Sequence, residues 1–151
     1  MIFGMQMKND IEAIRHSLAH ALAAAVLEIW PDTKPTIGPA IADGFYYDFE
    51  FRRPISEADL PRIENKMRSI LENWKSFEGK EVKSAEAEKI FKDNPYKLEL
   101  IGEISAQGKP ITLYTSGLFT DLCRGGHVSD TSLLKGNNWR LDRLAGAYWR
   151  G

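Results

Sequence analysis

Lys34-Pro-Thr-Ile-Gly-Pro-Ala-Ile-Ala-Asp-Gly-Phe-Tyr-Tyr-Asp-Phe-Glu-Phe51 holds two strand-like runs, Lys34 to Ile41 and Gly44 to Phe51, joined through Ala42-Asp43-Gly44. Asp-Gly between apolar runs is a strong hairpin signal. So short a link permits only antiparallel pairing, because parallel neighbours need a long crossover. Ahead of it, Ile11, Ile14, Leu18, Leu22, Ala25, Val26 and Ile29 recur at helical spacing, with Asn9 and Asp10 as capping candidates and Trp30-Pro31 as a stop. Behind it, Pro54 to Leu60 turns the chain and Pro61 suits a first helical position. Ile63, Met67, Ile70, Leu71 and Trp74 then mark an amphipathic helix to about Ser76. Its Arg62, Lys66, Arg68 and Lys75 alternate with Glu64 and Glu72 and read as a solvated face. A strand is expected over Phe77 to Lys83, a short helix capped by Ser84 to Lys92, and a helix from Asn94-Pro95 to about Glu103. Ile111 to Thr115 and Trp139 to Tyr148 complete the predicted strands. The pattern is α+β: a mainly antiparallel sheet packed with helices, since the strands lie too close together for repeated crossover helices.

At 151 residues and 43% hydrophobic content the chain suffices for one domain, residues 1–151, with residues 1–10 expected as a disordered lead-in. No apolar run approaches the ~20 residues needed to cross a bilayer, and the start lacks a signal-peptide core. The expected setting is therefore cytoplasmic, with no membrane partner. Twenty basic against twenty-one acidic residues argue against nonspecific polyanion binding as the main role, so nucleic-acid contact must be local. A single cysteine rules out an internal disulfide framework.

That cysteine and all three histidines occupy two segments of equal spacing, His16-Ser-Leu-Ala-His20 and Cys123-Arg-Gly-Gly-His127. On a helix, positions four apart face the same way. Gly125-Gly126 lets the backbone turn and return His127 towards Cys123. Three imidazoles and a thiolate suffice for tetrahedral zinc, and equally suffice to orient and deprotonate a water. The residue types leave both readings open, along with a third in which the histidines are solvated and the thiol packs as a small hydrophobe.

With these strings stand Ile37-Gly38-Pro39, Gly44-Phe45-Tyr46-Tyr47-Asp48, Asp121-Leu122-Cys123-Arg124-Gly125-Gly126-His127 and Ala145-Gly146-Ala147-Tyr148-Trp149-Arg150-Gly151. From about Ile11 onward the chain resembles the editing domain of bacterial-type threonyl-tRNA synthetases, the second additional domain, which is related to the editing domains of alanyl-tRNA synthetases. The Gly-Phe-Tyr-Tyr-Asp and Leu-Cys-Arg-Gly segments favour the threonyl branch. Gly126 departs from that branch, which usually has proline there, and losing the φ restraint is expected to loosen the loop.

The resemblance implies hydrolysis of serine wrongly esterified to the 3′ end of tRNA(Thr), with the remainder of a threonyl-tRNA synthetase as partner. It also implies that this stretch does not itself charge tRNA. A pocket that fits threonine rejects the smaller serine by only ~1–3 kcal/mol, so a second sieve is needed. In that frame His16 is the candidate base for the water. Lys97 assists the leaving oxygen or the oxyanion, Asp121 orients a histidine or holds the serine ammonium, and His20, Cys123 and His127 shape the pocket. Gly38, Tyr46, Tyr47 and Arg124 are the substrate-binding candidates, a tyrosine stacking on the terminal adenine and Arg124 reaching a phosphate. No cofactor is expected to be required. The alternatives are a zinc-dependent alanyl-type editor, with His16, His20, Cys123 and His127 as metal ligands, and a noncatalytic zinc- or tRNA-binding module.

Overall fold

In the computed structural model the first helix, α1, runs from Ile2 to Ile29. The structure describes residues 2–38, 40, 41, 43–136, 139–146 and 149, with backbone alone for 2–10 and 40. The helix thus begins nine residues earlier than its apolar periodicity indicates. The presumed lead-in is helical from residue 2, and Asn9 and Asp10 lie inside the helix rather than capping it.

Four short strands follow: β1 (Lys34–Pro35), β2 (Ala40–Ile41), β3 (Gly44–Phe45) and β4 (Phe49–Glu50). They are the expected hairpin, with β1 antiparallel to β4 and β2 to β3. Ile41 pairs with Gly44, so the two runs meet at the turn with the bounds expected of them and two residues connect them. One departure interrupts the hairpin: its register slips by one residue, because Thr36 and Ile37 both bond to Asp48, the Thr36 N–H donating to the Asp48 carbonyl and the Asp48 N–H to that of Ile37. Two residues against one is the signature of a bulge, which bends a strand and re-aims its side chains.

After a 3₁₀ turn at Glu57–Asp59, helix α2 spans Leu60–Asn73. It presents Ile63, Met67 and Leu71 to Leu18, Ala21, Ala25 and Val26 of α1, forming the main core with Trp74, Val128, Leu134 and Trp139. A second, smaller core lies beneath the three-stranded antiparallel sheet β5 (Glu78–Val82), β6 (Ile111–Ser116) and β7 (Phe119–Leu122), where Val82, Ile111 and Leu113 meet Ala87 of α3 (Ser84–Ile90) and Ile101 of α4 (Pro95–Ala106). The architecture is α+β with antiparallel sheets, as the strand spacing required.

Asn94 caps α4, its side-chain oxygen accepting from the N–H groups of Tyr96 and Lys97, while its amide donates to the Pro35 carbonyl of the hairpin. Ser84 is a first helical residue rather than a cap, and its hydroxyl bonds to that of Ser105. The strand expected over Trp139 to Tyr148 does not form among the described residues, and its Tyr148 end lies outside them. Side chains of α2 take the place of a ladder partner. Arg68 donates to the carbonyls of Gly136 and Trp139, and its guanidinium lies 4.1 Å from the Trp139 ring centroid. Glu64 accepts from the Leu141 N–H. Glu64 and Arg68 are therefore fasteners for the C-terminal segment, and not merely part of a solvated face. No helix among the described residues is long and apolar enough to cross a membrane.

Candidate functional site

Strand β7 carries the chain from the sheet into a loop that faces α1. The Cys123 N–H still bonds to the Thr112 carbonyl of β6, so the cysteine is anchored as though the strand continued. Beyond it Gly125 and Gly126 adopt φ of +101° and +83°, the left-handed region that glycine enters without a Cβ penalty. The turn folds His127 back so that its Nε2 lies 3.3 Å from the Cys123 sulfur, and His16 of α1 places its own Nε2 3.2 Å from the same atom. The Gly125 N–H donates to the sulfur at 3.2 Å. A proline at 126 could not adopt this φ, so glycine here permits a loop conformation closed to the usual residue of the threonyl branch.

His127 is held between two rings and by a hydroxyl. Its ring stacks on Phe77 at 4.3 Å between centroids and on His16 at 4.3 Å, and Ser17, fully buried on α1, meets its Nδ1 at 3.0 Å. His20 is one helical turn from His16, yet its surroundings are different. Only 3% exposed, it is boxed edge-on by Trp74, Phe77 and Phe119, and its Nε2 has no hydrogen-bond partner among the described residues.

Burial governs the protonation of this group. It lowers the pKa of His16 below the ordinary value, against the opposing pull of Asp121 and a bond to the Gly125 backbone. It takes His20 down to about 3 and His127 to about 2, with neighbouring imidazoles adding to the effect. It raises the Cys123 thiol to about 11. Near neutral pH the site therefore contains three neutral imidazoles and a protonated thiol.

Across the same cavity lies a second cluster. Lys97, on the first turn of α4, is 2% exposed and places its ammonium 2.8 Å from Asp121 Oδ1. The Tyr47 hydroxyl donates to Asp121 Oδ2 at 2.5 Å and accepts from Lys97 at 2.9 Å, closing a triangle of lysine, carboxylate and phenol. Asp121 is further held by the Leu122 N–H at 2.8 Å. Burial first, and then the Asp121 charge, hold the Tyr47 phenol well above its ordinary pKa, so it remains a donor. Gly38 leaves room for this arrangement: a Cβ there would fall 2.7 Å from Tyr47 Cγ.

Both clusters open onto one cavity of about 1700 Å³, whose lining also includes Arg15, Ile41 and Lys109. Gly38 and Arg124 also line it, Arg124 exposed at its edge. The tyrosines divide differently from the expectation of a stacking platform. Tyr47 stacks on Phe49 and spends its hydroxyl on the ion pair, whereas Tyr46 is 37% exposed and does not line the cavity. Asp121 bonds to Lys97, Tyr47 and its own strand rather than to a histidine.

Of the four sequence-derived metal candidates, His16, Cys123 and His127 bring their ligand atoms within 4.8 Å of one another, and His20 stands outside that group. Three soft or borderline donors with a fourth position left open match the donor set of a catalytic zinc site better than that of a closed structural one. Reasoning from the sequence passed over Ser17, Phe77 and Tyr114, whose ring lies 5.2 Å from that of His127. A serine inside a helix, an aromatic just before one strand and another within a strand carry no local sign of a site that forms only when the chain's two ends meet.

No protein-family model matches the chain. Curated relatives do: it is 51% identical over 143 residues to the threonine–tRNA ligase of Rubrobacter xylanophilus, 49% over 137 residues to that of Borreliella burgdorferi, and 46% over 151 residues to that of Borrelia hermsii. These matches cover 91–97% of the chain but only 22–26% of the relatives' own length. The chain is thus homologous to one segment of the threonine–tRNA ligases.

Proposed function

We propose that this chain, as a homologue of one segment of threonine–tRNA ligases, is an aminoacyl-tRNA deacylase that hydrolyses serine from tRNA(Thr) and acts alongside the remainder of such a synthetase. The observation that carries the reading is the pair of clusters facing one cavity: a neutral imidazole, His16, set among Cys123 and His127, with the buried Lys97–Asp121–Tyr47 triangle across from it. An ester already has a fair leaving group. What it lacks in water is a positioned nucleophile, a proton acceptor and stabilisation of the oxyanion.

His16 supplies the acceptor. Its lowered pKa keeps it unprotonated near pH 7, so it can take a proton from a water that attacks the ester carbonyl. Lys97 supplies positive charge in a dry site, where charge acts more strongly than in solvent. Its pairing with Asp121 and Tyr47 fixes the ammonium without needing substrate to do so. The same ammonium can return a proton to the departing ribose oxygen. Cys123 serves as a polar wall and not as the nucleophile, because a thiol raised to about 11 holds almost no thiolate at neutral pH.

We place the chemistry without a metal. In the alternative, His16, Cys123 and His127 hold a zinc ion, which when bound would supply Lewis acidity and a water of lowered pKa. The deciding experiment is hydrolysis of seryl- and threonyl-tRNA(Thr) by the wild type and His16→Ala, each with and without chelator. Serine-selective, chelator-resistant hydrolysis that is lost in the variant is the expected result. Loss on chelation in the wild type would transfer the reaction to zinc, and hydrolysis of neither ester would refute the deacylase reading.

A further inference from the structure

We infer that Ser17 is a positioning residue that sets the tautomer of His127 and through it the direction of every proton around Cys123; the inference about catalysis rests on the deacylase reading, while the inference about protons does not. Ser17 is fully buried, and its hydroxyl oxygen accepts the Val128 N–H at 3.1 Å. The hydroxyl lies 3.0 Å from His127 Nδ1, the one other partner recorded for it among the described residues. The Val128 N–H can only donate, so the one acceptor within reach of the buried hydroxyl proton among the described residues is Nδ1, and the proton is directed there. That nitrogen must then be the acceptor, and the imidazole carries its proton on Nε2.

The consequence propagates across the site. His127 Nε2–H points at the Cys123 sulfur 3.3 Å away, which also receives the Gly125 N–H. The sulfur therefore already accepts two bonds, and its own proton has two acceptors in reach: His16 Nε2 at 3.2 Å and the Gly125 carbonyl at 3.8 Å. The nearer one is the base. The polarity thus runs from the Ser17 hydroxyl through His127 and Cys123 to His16, whose Nε2 lone pair is covered by a thiol until something displaces it. Ser17 ties this order to the backbone as well, because it holds α1 to the loop just after His127. Phe77 and His16, stacked on the two sides of the ring, keep it from turning over.

The test is ¹⁵N NMR of the imidazoles of the full chain, in chelator so that no metal competes, together with steady-state hydrolysis of seryl-tRNA. Wild type should show His127 as the Nε2–H tautomer. Ser17→Ala should show a mixture of both tautomers, with kcat reduced on the order of the 10- to 100-fold that losing an outer partner costs a metal-bound imidazole, and KM unchanged. Ser17→Cys, of similar size with a weaker donor, should fall between them and guards against a folding defect in the alanine variant. A wild-type protein with the proton on Nδ1 would overturn the inference. So would a folded Ser17→Ala protein with an unchanged tautomer, whatever its rate, since Ser17 would then be a packing residue. If wild type fails to hydrolyse seryl-tRNA, the deacylase reading falls, and the spectrum alone still decides the proton order.

Discussion

Breaking the buried lysine–aspartate pair should cost far more than losing a surface salt bridge. Lys97 and Asp121 are 2% and 6% exposed and meet at 2.8 Å. At an effective dielectric of about 20, that separation corresponds to an attraction of about 6 kcal/mol. Most of this is offset by the cost of taking both charges out of water, so the pair's net worth is small. Removing one partner is another matter, because the desolvation of the other remains unanswered. Lys97→Met leaves Asp121 buried with only the Tyr47 hydroxyl and the Leu122 N–H, and Asp121→Asn leaves an ammonium facing a phenol and an amide. Each should lose about 3–5 kcal/mol, a large part of the ~5–15 kcal/mol typical of a domain, and lower Tm by roughly 6–20 °C at this chain length.

Urea unfolding read by tryptophan fluorescence measures the loss, and the double variant completes a cycle. Lys97→Met with Asp121→Asn should be less destabilised than the sum of the singles by at least about 2 kcal/mol, because each change removes the charge that the other strands. Activity should stay absent in all three. Single variants within about 1 kcal/mol of wild type, or strict additivity, would show that solvent reaches the pair and would refute the argument.

Three further outcomes follow from the site. The pH–rate profile of seryl-tRNA hydrolysis should be flat above pH 6.5 and fall only at lower pH, because burial places the His16 titration below its ordinary value and the base must be neutral; an inflection above 6.5 would contradict this. Stability should drop on acidification. His20 takes up a proton near 6.5 when unfolded but only near 3 when folded, so the unfolded chain binds the extra proton between those values and stability falls with pH, by about 2 kcal/mol from this residue between pH 7 and pH 5. Urea midpoints of wild type and His20→Asn check it, the variant losing that share of the slope. Gly38→Ala should cost about 1–3 kcal/mol and lower kcat, because the new methyl takes the space of the Tyr47 ring and displaces the phenol that binds both Lys97 and Asp121; a crystal structure with Tyr47 unmoved would contradict it.

The sequence alone pointed to most of the elements and to the four chemically distinctive residues that meet or adjoin at the cavity. Apolar spacing marks α1 and α2, the Asp43-Gly44 signal marks the hairpin, and the paired spacings of His16, His20, Cys123 and His127 announce a joint purpose, because local periodicity and residue chemistry are local properties. It misplaced what depends on partners. Trp139 to Leu141 alternates like a strand, but Arg68 and Glu64 satisfy its backbone, and no pattern within that segment could show this. Lys97 was one lysine among many until α4 packed against the hairpin and β7. Only the tertiary structure decided that His20 lies in an aromatic box while His16 meets Cys123 and His127, that Tyr47 belongs to the ion pair and Tyr46 to the surface, and that Ser17 meets His127. Each is a contact between residues far apart in the chain, and burial, which tunes the charge of every group in the site, is a property of the packed molecule rather than of any segment.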